Sequence, residues 1–259
     1  MSALVLGADQ INSWIAQGLW PMFRIAGLFS VMPVLGGGEV PVRARVGLAA
    51  LVTLILLPTI GDVPAVDPLS ATSLLITAQQ VLIGVAMGFV VLMVFNAVTL
   101  AGESIAITMG LGFALMTDPQ NGVQVPTVSQ FYMIMATLLF LALNGHHALL
   151  LLLSESFRVL PIGEPLGADA VWTLLKWAGI VFSGAIAIAL PALVAMLSVN
   201  IVMGVITRAA PQLNLFSVGF PITMTVGFLA ILLTLPLFDK SFEGLLIECQ
   251  RVLRAMLGG

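Results

Sequence analysis

Five long stretches of the sequence carry no charged residue. They are residues 46–61, 68–102, 119–154, 177–207 and 209–238. A membrane-spanning helix needs about 20 apolar residues. At about 1.5 Å per residue, the stretch 177–207 would be roughly 45 Å long as one helix, which is too long for an upright span. With a weaker apolar pair around Arg24, the pattern predicts about six hydrophobic, partly broken helices.

Prolines mark places where these helices should change direction. Proline removes a backbone donor and clashes with the preceding turn of a helix. We therefore expect a kink or a stop at four positions: Pro191, Pro211, Pro221 and Pro236. No segment is long and polar enough for a soluble domain, so the predicted fold class is an all-α integral membrane protein.

The composition supports this interpretation and excludes several other classes. Hydrophobic residues make up 60% of the chain and charged residues only 8%, with a mean hydropathy of +1.15. A soluble domain carries roughly 25% charged residues. The net charge of −3 provides no basic field for nucleic acid. The single cysteine, Cys249, excludes a disulfide framework and a multi-cysteine metal site. Lipid and apolar protein are the expected surroundings, without a cofactor.

The positive charges do not fit a simple bundle of six spans. Lys240, Arg251 and Arg254 favour a cytoplasmic C-terminus. Six full spans would then place Arg43 and Arg45 outside, where positive charge is disfavoured. Either the first segments do not span simply, or protein rather than lipid surrounds some helices.

Polar side chains at membrane depth are functional candidates, because an ionisable group there is costly unless it faces protein or water. Asn96, Thr99 and Glu103 follow at i, i+3 and i+7, on one helical face. Two interpretations of Glu103 stay open. In the first interpretation its side chain lines a cavity or contacts a partner. In the second it is a helix-end carboxylate in the headgroup zone.

The sequence Asn144-Gly145-His146-His147 interrupts the fourth uncharged stretch. Adjacent histidines point about 100° apart on a helix and cannot chelate one ion together. No cluster of carboxylates or cysteines accompanies them, and no nucleophile has a credible motif beside them. We expect neither a metal site nor an enzyme.

Small and polar residues mark two further helix faces. Gly84 and Gly88 form a GxxxG step that lets a second helix approach closely. A polar stripe facing lipid would be costly, so such a stripe predicts packing against another protein. That stripe consists of Asn200, Gly204 and Arg208, followed by Gln212 and Asn214.

Residues 110–126 read GLGFALMTDPQNGVQVP and combine turn chemistry with apolar content. The pairs Asp118-Pro119 and Asn121-Gly122 predict a loop. Non-helical backbone at membrane depth is tolerated only inside protein or along a cavity. An apolar loop that contains methionine can close a pore and yield when something passes. The alternative is an outer loop that dips into the headgroups. The candidate pore residues are Gly110, Gly112, Phe113, Leu115, Met116 and Asp118.

A series of short motifs runs through the chain in a fixed order. They are Arg24-Ile25-Ala26-Gly27-Leu28-Phe29, Met32-Pro33, Val40-Pro41-Val42-Arg43, Gly102-Glu103, the loop to Asp118-Pro119, Asn144-Gly145-His146-His147, Ser156-Phe157, Leu160-Pro161, Ala210-Pro211-Gln212-Leu213-Asn214 and Gly219-Phe220-Pro221. In this order and spacing they resemble the FliR family, the export-gate subunits of flagellar type III secretion.

The resemblance implies one membrane domain over residues 1–259, with a FliP-like part over about 1–165 and a FliQ-like helical hairpin over about 166–259. It implies FliP and FliQ as partners in a closed helical assembly, with FlhB around it and FlhA as the proton-driven subunit. The cargo would be unfolded flagellar subunits, and the location the bacterial inner membrane at the flagellar basal body. Packing above the membrane plane would explain the misplaced Arg43 and Arg45.

The resemblance also assigns roles to the candidate residues. It makes residues 110–123 a plug inside the conduit. The polar candidates become subunit-packing residues: Asn96, Glu103, Asn144, Asn200, Gly204, Arg208, Gln212 and Asn214.

Two alternatives to this interpretation stay open. One is the homologue from a virulence secretion system. The other is a secondary transporter with helices broken at Pro191 and Pro221 and a midplane site that uses Glu103 or Arg208. The sequence contains no evident inverted repeat, which disfavours the transporter.

Overall fold

The fold is helical throughout the part of the chain that the computed structural model describes, residues 8–37, 40–61, 63–64, 66, 70–111, 127–210 and 219–258. These ranges contain no strand, so the all-α prediction is confirmed. The helices are α1 (Ala8–Val31), α2 (Pro33–Gly36), α3 (Val42–Leu56), α4 (Ala71–Thr108), α5 (Thr127–Ala142), α6 (Gly145–Val159), α7 (Ala168–Trp177), α8 (Ile180–Ala209) and α9 (Phe220–Leu257), with a 3₁₀ turn at Leu57–Thr59.

Four helical segments among the described residues are long and apolar enough to cross a membrane. They are Val42–Thr59, Ala71–Thr108, Ala168–Ala209 and Phe220–Leu257. A fifth is added if α5 and α6 together form one span. By length and composition, the chain is therefore a multi-pass membrane protein.

The prolines end fewer helices than a simple interpretation of the sequence suggests. Pro191 lies inside α8 and Pro236 inside α9, and neither ends its helix. Pro221 lies in the first turn of α9, where the missing N–H would be unsatisfied anyway. Helix α8 ends at Ala209, just before Pro211. Membrane helices tolerate internal proline because other groups satisfy the freed carbonyl.

The chain divides into two compact units. The first comprises Met1–Met93, Asn144–Ala178 and Glu248–Gly259, and the second comprises Val94–Leu143 and Gly179–Ile247. Both units draw on separate stretches of the chain. The sequential division at about residue 165 stays a prediction.

Glycines let α1 pack directly on α4 in the first unit. A Cβ on Gly84 would overlap the Arg24 carbonyl oxygen, and one on Gly88 would lie 2.8 Å from the Leu28 carbonyl oxygen. From the other side, a Cβ on Gly27 would lie 2.7 Å from the Val81 carbonyl oxygen. The close approach predicted from the GxxxG step is confirmed.

Aromatic rings fill the core of the second unit. The Phe95 ring meets the Phe140 and Phe242 rings edge-on, each with 5.8 Å between centroids. The Phe238 ring stacks on Phe242 and lies 5.1 Å from the Tyr132 ring. Because these residues belong to α4, α5 and α9, the cluster holds the three helices together.

Candidate functional site

The candidate site in the second unit is the C-terminal end of α4, where residues 112–126 begin. Gly110 has φ +84°, a left-handed conformation that favours glycine. Its N–H donates to the Ile107 carbonyl, and the Leu111 N–H donates to the Ala106 carbonyl, both at 3.0 Å. These two bonds form a Schellman motif, which ends a helix at a left-handed residue. Helix α4, whose last residue is Thr108, is therefore terminated by a motif that includes the first glycine of the predicted plug.

Side chains from two other helices bind the last carbonyls of α4. The Asn200 amide of α8 donates to the Thr108 carbonyl at 3.4 Å. The Thr223 hydroxyl of α9 lies 3.3 Å from the Met109 carbonyl and 3.0 Å from the Phe220 carbonyl, and its one proton serves either. Carbonyls at a helix C-terminus have no partner within the helix, so these contacts supply what the helix lacks.

The Met109 side chain is fully buried against a glycine of α9. A Cβ on Gly227 would lie 2.5 Å from the Met109 Cγ and 2.6 Å from its Cε. A Cβ on Gly110 would lie 3.3 Å from the Phe220 ring. The end of α4 thus contacts the first two turns of α9 through both backbone and side chain.

The other flank of residues 112–126 is also fixed on α4. Helix α5 begins at Thr127, and its Ser129 is fully buried. A Cβ on Gly102 would lie 2.6 Å from the Ser129 Cα. The Ser129 hydroxyl donates to the Thr99 carbonyl at 3.2 Å. Both chain segments that border the candidate plug are therefore tied to the same helix.

Glu103 lies between these two attachment points. Its side chain is half-buried, as are those of Asn96 and Thr99 on the same helix. Within the described residues, Glu103 makes no hydrogen bond or ion pair. This carboxylate is thus available to a group outside the described part of the chain.

A separate polar cluster surrounds Arg24 in the first unit. Arg24 is fully buried, and among the charged residues whose side chains the structure describes it alone is buried. Its Nε donates to Gln80 Oε1 at 2.8 Å. One terminal nitrogen donates to the Ser156 carbonyl at 3.0 Å, and the other to the Leu160 carbonyl at 2.9 Å. The cation therefore caps the C-terminal end of α6.

Arg24 finds no carboxylate among the described residues. The Phe157 ring lies 4.4 Å from its guanidinium carbon, a cation–π contact. The end of α6 carries partial negative charge from its unpaired carbonyls. Burial lowers the pKa of Arg24 to about 9, so the side chain stays cationic at neutral pH. Motifs far apart in the sequence meet here, and no spacing signal predicted the contact.

Comparison with known proteins places the chain in a family. Residues 15–248 match the family described as bacterial export proteins, family 1. The chain belongs to this family. It is 38% identical to the flagellar biosynthetic protein FliR of Escherichia coli K12 over 248 residues, which is 95% of this chain and 94% of the relative. This confirms the family resemblance that the sequence motifs suggested.

More distant relatives of this family 1 export protein match over similar lengths. The flagellar biosynthetic protein FliR of Bacillus subtilis 168 is 30% identical over 252 residues, covering 93% of this chain and 97% of the relative. The flagellar biosynthetic protein FliR of Aquifex aeolicus is 32% identical over 241 residues, covering 91% of this chain and 92% of the relative. The similarity thus extends along almost the whole chain.

The predicted polar stripe of this export protein lies on an uncovered face of α8. Asn200, Gly204 and Arg208 are all exposed, and no described residue lies within 4 Å of a Cβ on Gly204. Apolar side chains beside them are exposed as well: Leu197, Ile201, Val202 and Val205. Gln212 and Asn214 lie outside the described residues. Packing of this stripe against another subunit stays a prediction.

Asn144 forms the turn between α5 and α6. It has φ +57°, and its side-chain oxygen lies 3.2 Å from His147 Nδ1. The centroids of the His146 and His147 rings lie 4.1 Å apart, and the buried Nδ1 of His146 has no hydrogen-bond partner among the described residues. No group of three metal-ligating side chains occurs in the described ranges. The helix therefore breaks where the sequence predicts an interruption.

Most of the predicted plug lies outside the described residues, namely Gly112, Phe113, Leu115, Met116 and Asp118. Only Gly110 among the pore candidates is described, and it ends α4. Sequence reasoning missed Met109, Thr223 and Gly227. A glycine inside an apolar helical stretch was the only signal for Gly227, and the chain has 25 glycines.

Proposed function

We propose that this chain is a subunit of a flagellar type III protein export gate in the bacterial inner membrane. Together with FliP and FliQ it forms the conduit that passes unfolded flagellar subunits, with FlhB and FlhA as further partners. The observation that carries the proposal is the near full-length similarity to proteins called flagellar biosynthetic protein FliR. The chain acts by binding and gating, without catalytic chemistry.

The exposed polar stripe of α8, and not the uncovered apolar helix faces, supports assembly with other subunits. Only 11% of the most apolar window of Val42–Thr59 is buried within the chain, and 17% of that of Phe220–Leu257. Lipid alone can cover such faces. The exposed stripe of Asn200, Gly204 and Arg208 is different, because polar groups facing lipid are costly. Protein packed against α8 satisfies both the apolar and the polar groups.

Residues 110–123 act as the plug of this conduit. The flanking attachments support this role, because both borders of the segment are tied to α4 at Gly110 and at Ser129. Deleting residues 111–117 is expected to let ions leak and to slow growth, while export is largely retained. Patch-clamp conductance of membranes that hold the assembled gate measures the leak. Unchanged conductance contradicts the plug.

Secretion by the native bacterium tests the proposal as a whole. Removing the gene is expected to abolish release of hook and filament subunits into the medium, and re-expression is expected to restore it. If flagellar secretion persists while a virulence effector is no longer released, the chain belongs to a virulence system instead.

A transporter remains the second candidate, favoured by one observation. Glu103 is a half-buried carboxylate on a membrane-length helix with no partner in the described ranges. Under the transporter hypothesis, Glu103→Gln abolishes saturable solute flux. Under the gate proposal, the same substitution only weakens assembly with FliP and FliQ.

A further inference from the structure

The end of α4 is held more firmly than helix formation requires. The Schellman motif at Gly110 already terminates the helix and satisfies the Ala106 and Ile107 carbonyls. The contacts from Asn200 and Thr223 come in addition, from two different helices. They fix the helix end relative to α8 and α9, which the motif alone cannot do.

Gly227 shows that the packing of Met109 requires a residue without a side chain. Glycine inside a helix costs about 1 kcal/mol relative to alanine. At Gly227 an added Cβ would collide with the Met109 side chain at 2.5 Å. At Gly244 of the same helix nothing lies within 4 Å of an added Cβ. Only the first of these two glycines is required by a contact within the chain.

We propose that Met109, Asn200, Phe220, Thr223 and Gly227 form a loop anchor that fixes the point and direction at which the chain leaves α4. Successive residues of a helix point about 100° apart, so a helix that ended one residue later would send the following segment in a different direction. The anchor prevents that shift by holding the Met109 backbone and side chain together. Its residues are positioning residues, and this inference rests on the proposed plug function of residues 110–123.

Methionine is well suited to fill the space beside Gly227 at the end of α4. Its unbranched side chain adapts to irregular space, and burial of its thioether needs no hydrogen bond. The anchor therefore combines one soft apolar contact with a hydrogen bond from Asn200 at 3.4 Å and one from Thr223 at 3.3 Å, whose single proton alternates between the Met109 and Phe220 carbonyls.

The matched glycines of α9 provide the test. Gly227→Val and Gly244→Val introduce the same side chain into the same helix, but only the first displaces Met109. In the full gate, Gly227→Val is expected to raise ion conductance several-fold, towards the level of the deletion of residues 111–117. Gly244→Val is expected to leave conductance at the wild-type level. Native mass spectrometry checks that both variants assemble with FliP and FliQ.

Combining variants separates the anchor from a general loss of stability. If the anchor acts through the plug, Gly227→Val adds no leak to the deletion of residues 111–117. Met109→Ala alone is expected to leak, and the double variant Gly227→Val with Met109→Ala is expected to leak less than either, because the valine fills the space that the methionine leaves. Leaks that simply add overturn the anchor.

The outcomes also separate this inference from the proposed function. If the deletion itself does not leak, the plug function fails. If the deletion leaks while an assembled Gly227→Val gate stays tight, only the anchor fails. Should Gly227→Val not assemble, Thr223→Val keeps the inference testable, because it removes one hydroxyl and no volume. A tight Thr223→Val gate together with a tight Met109→Ala gate overturns the anchor.

Discussion

Helices α4 and α8 are both strongly apolar, yet the chain covers them very differently. In α4, 67% of the most apolar window is buried, whereas the figure for the segment that contains α8 is 33%. The glycines show the same contrast. A Cβ on Gly84 or Gly102 would collide with backbone atoms of another helix, while one on Gly204 of α8 would meet nothing within 4 Å.

The two helices show that apolar content and close helix packing are different properties, although a hydropathy profile does not distinguish them. Apolar content makes a helix compatible with lipid, but it does not drive one membrane helix against another, because lipid tails are equally apolar. Close packing between two backbones does drive helix association, and it needs small residues where the helices cross. Gly204 lies in open space between the exposed Asn200 and Arg208, so this polar face of α8 points to a surface that a partner can still occupy.

Gly84→Leu is the substitution expected to destabilise the chain most. Its side chain cannot fit, because even a Cβ overlaps the Arg24 carbonyl oxygen. We expect a loss of about 4 kcal/mol in the free energy of unfolding. Thermal unfolding in detergent, followed by circular dichroism, measures it. A wild-type unfolding temperature would show that α1 does not cross α4 at this glycine.

Arg24→Met is expected to cost about 3 kcal/mol, since it leaves Gln80 Oε1, the Ser156 hydroxyl oxygen and the Leu160 carbonyl without the guanidinium donor. Arg24→Lys should recover only part of this, because one ammonium cannot reproduce the guanidinium geometry. Arg43→Met is the control: this arginine is exposed, and its loss should change stability by less than about 0.5 kcal/mol. Equal unfolding temperatures for Arg24→Met and the control would refute a stabilising role for the polar cluster around Arg24.

Gly102→Ala tests the second crossing on α4 with a smaller change. The added Cβ would lie 2.6 Å from the Ser129 Cα, so α5 has to move, at a cost of about 2 kcal/mol. Gly244→Ala in α9 is the matched control, with open space around it. There, alanine should stabilise the helix by up to about 1 kcal/mol. Chemical denaturation in mixed micelles compares the pair, and the same sign for both would contradict the account.

Gly204→Leu should have the smallest effect on the chain itself. Because its surroundings are open, the better helix propensity of leucine should stabilise the isolated chain by less than about 1 kcal/mol. The same substitution should weaken assembly, since a bulky side chain keeps a partner helix away from the stripe of Asn200, Gly204 and Arg208. Co-purification with FliP and FliQ measures this. Undiminished co-purification would place the partner elsewhere.

The sequence predicted the features that depend on neighbouring residues. Apolar runs gave the helices, the GxxxG step at Gly84 and Gly88 gave a close crossing, and Asn144-Gly145 gave a break. Proline was expected to kink or stop a helix. Helix α8 ends at Ala209, two positions before Pro211 in the sequence, whereas α8 and α9 continue past Pro191 and Pro236. The clash of a proline with the preceding helical turn is only one contribution to helix stability, and contacts with neighbouring helices can override it.

Contacts between distant segments could not be predicted from one sequence. Arg24 and Ser156 are separated by 132 positions, and Thr223 and Met109 by 114. Nothing in local spacing indicates which carbonyl a buried arginine or threonine will bind. Gly110 was recognised as the start of a loop, but its role as the left-handed end of α4 depends on Ala106 and Ile107 as acceptors.

Native mass spectrometry of the tagged chain, co-expressed with its neighbouring genes and extracted in mild detergent, tests the central claim most directly. The expected result is one copy of this chain bound to several FliP and FliQ subunits, in line with the exposed polar face of α8, which a partner can cover. A stable monomer or homodimer without such partners would contradict the export gate and make the transporter the hypothesis to pursue.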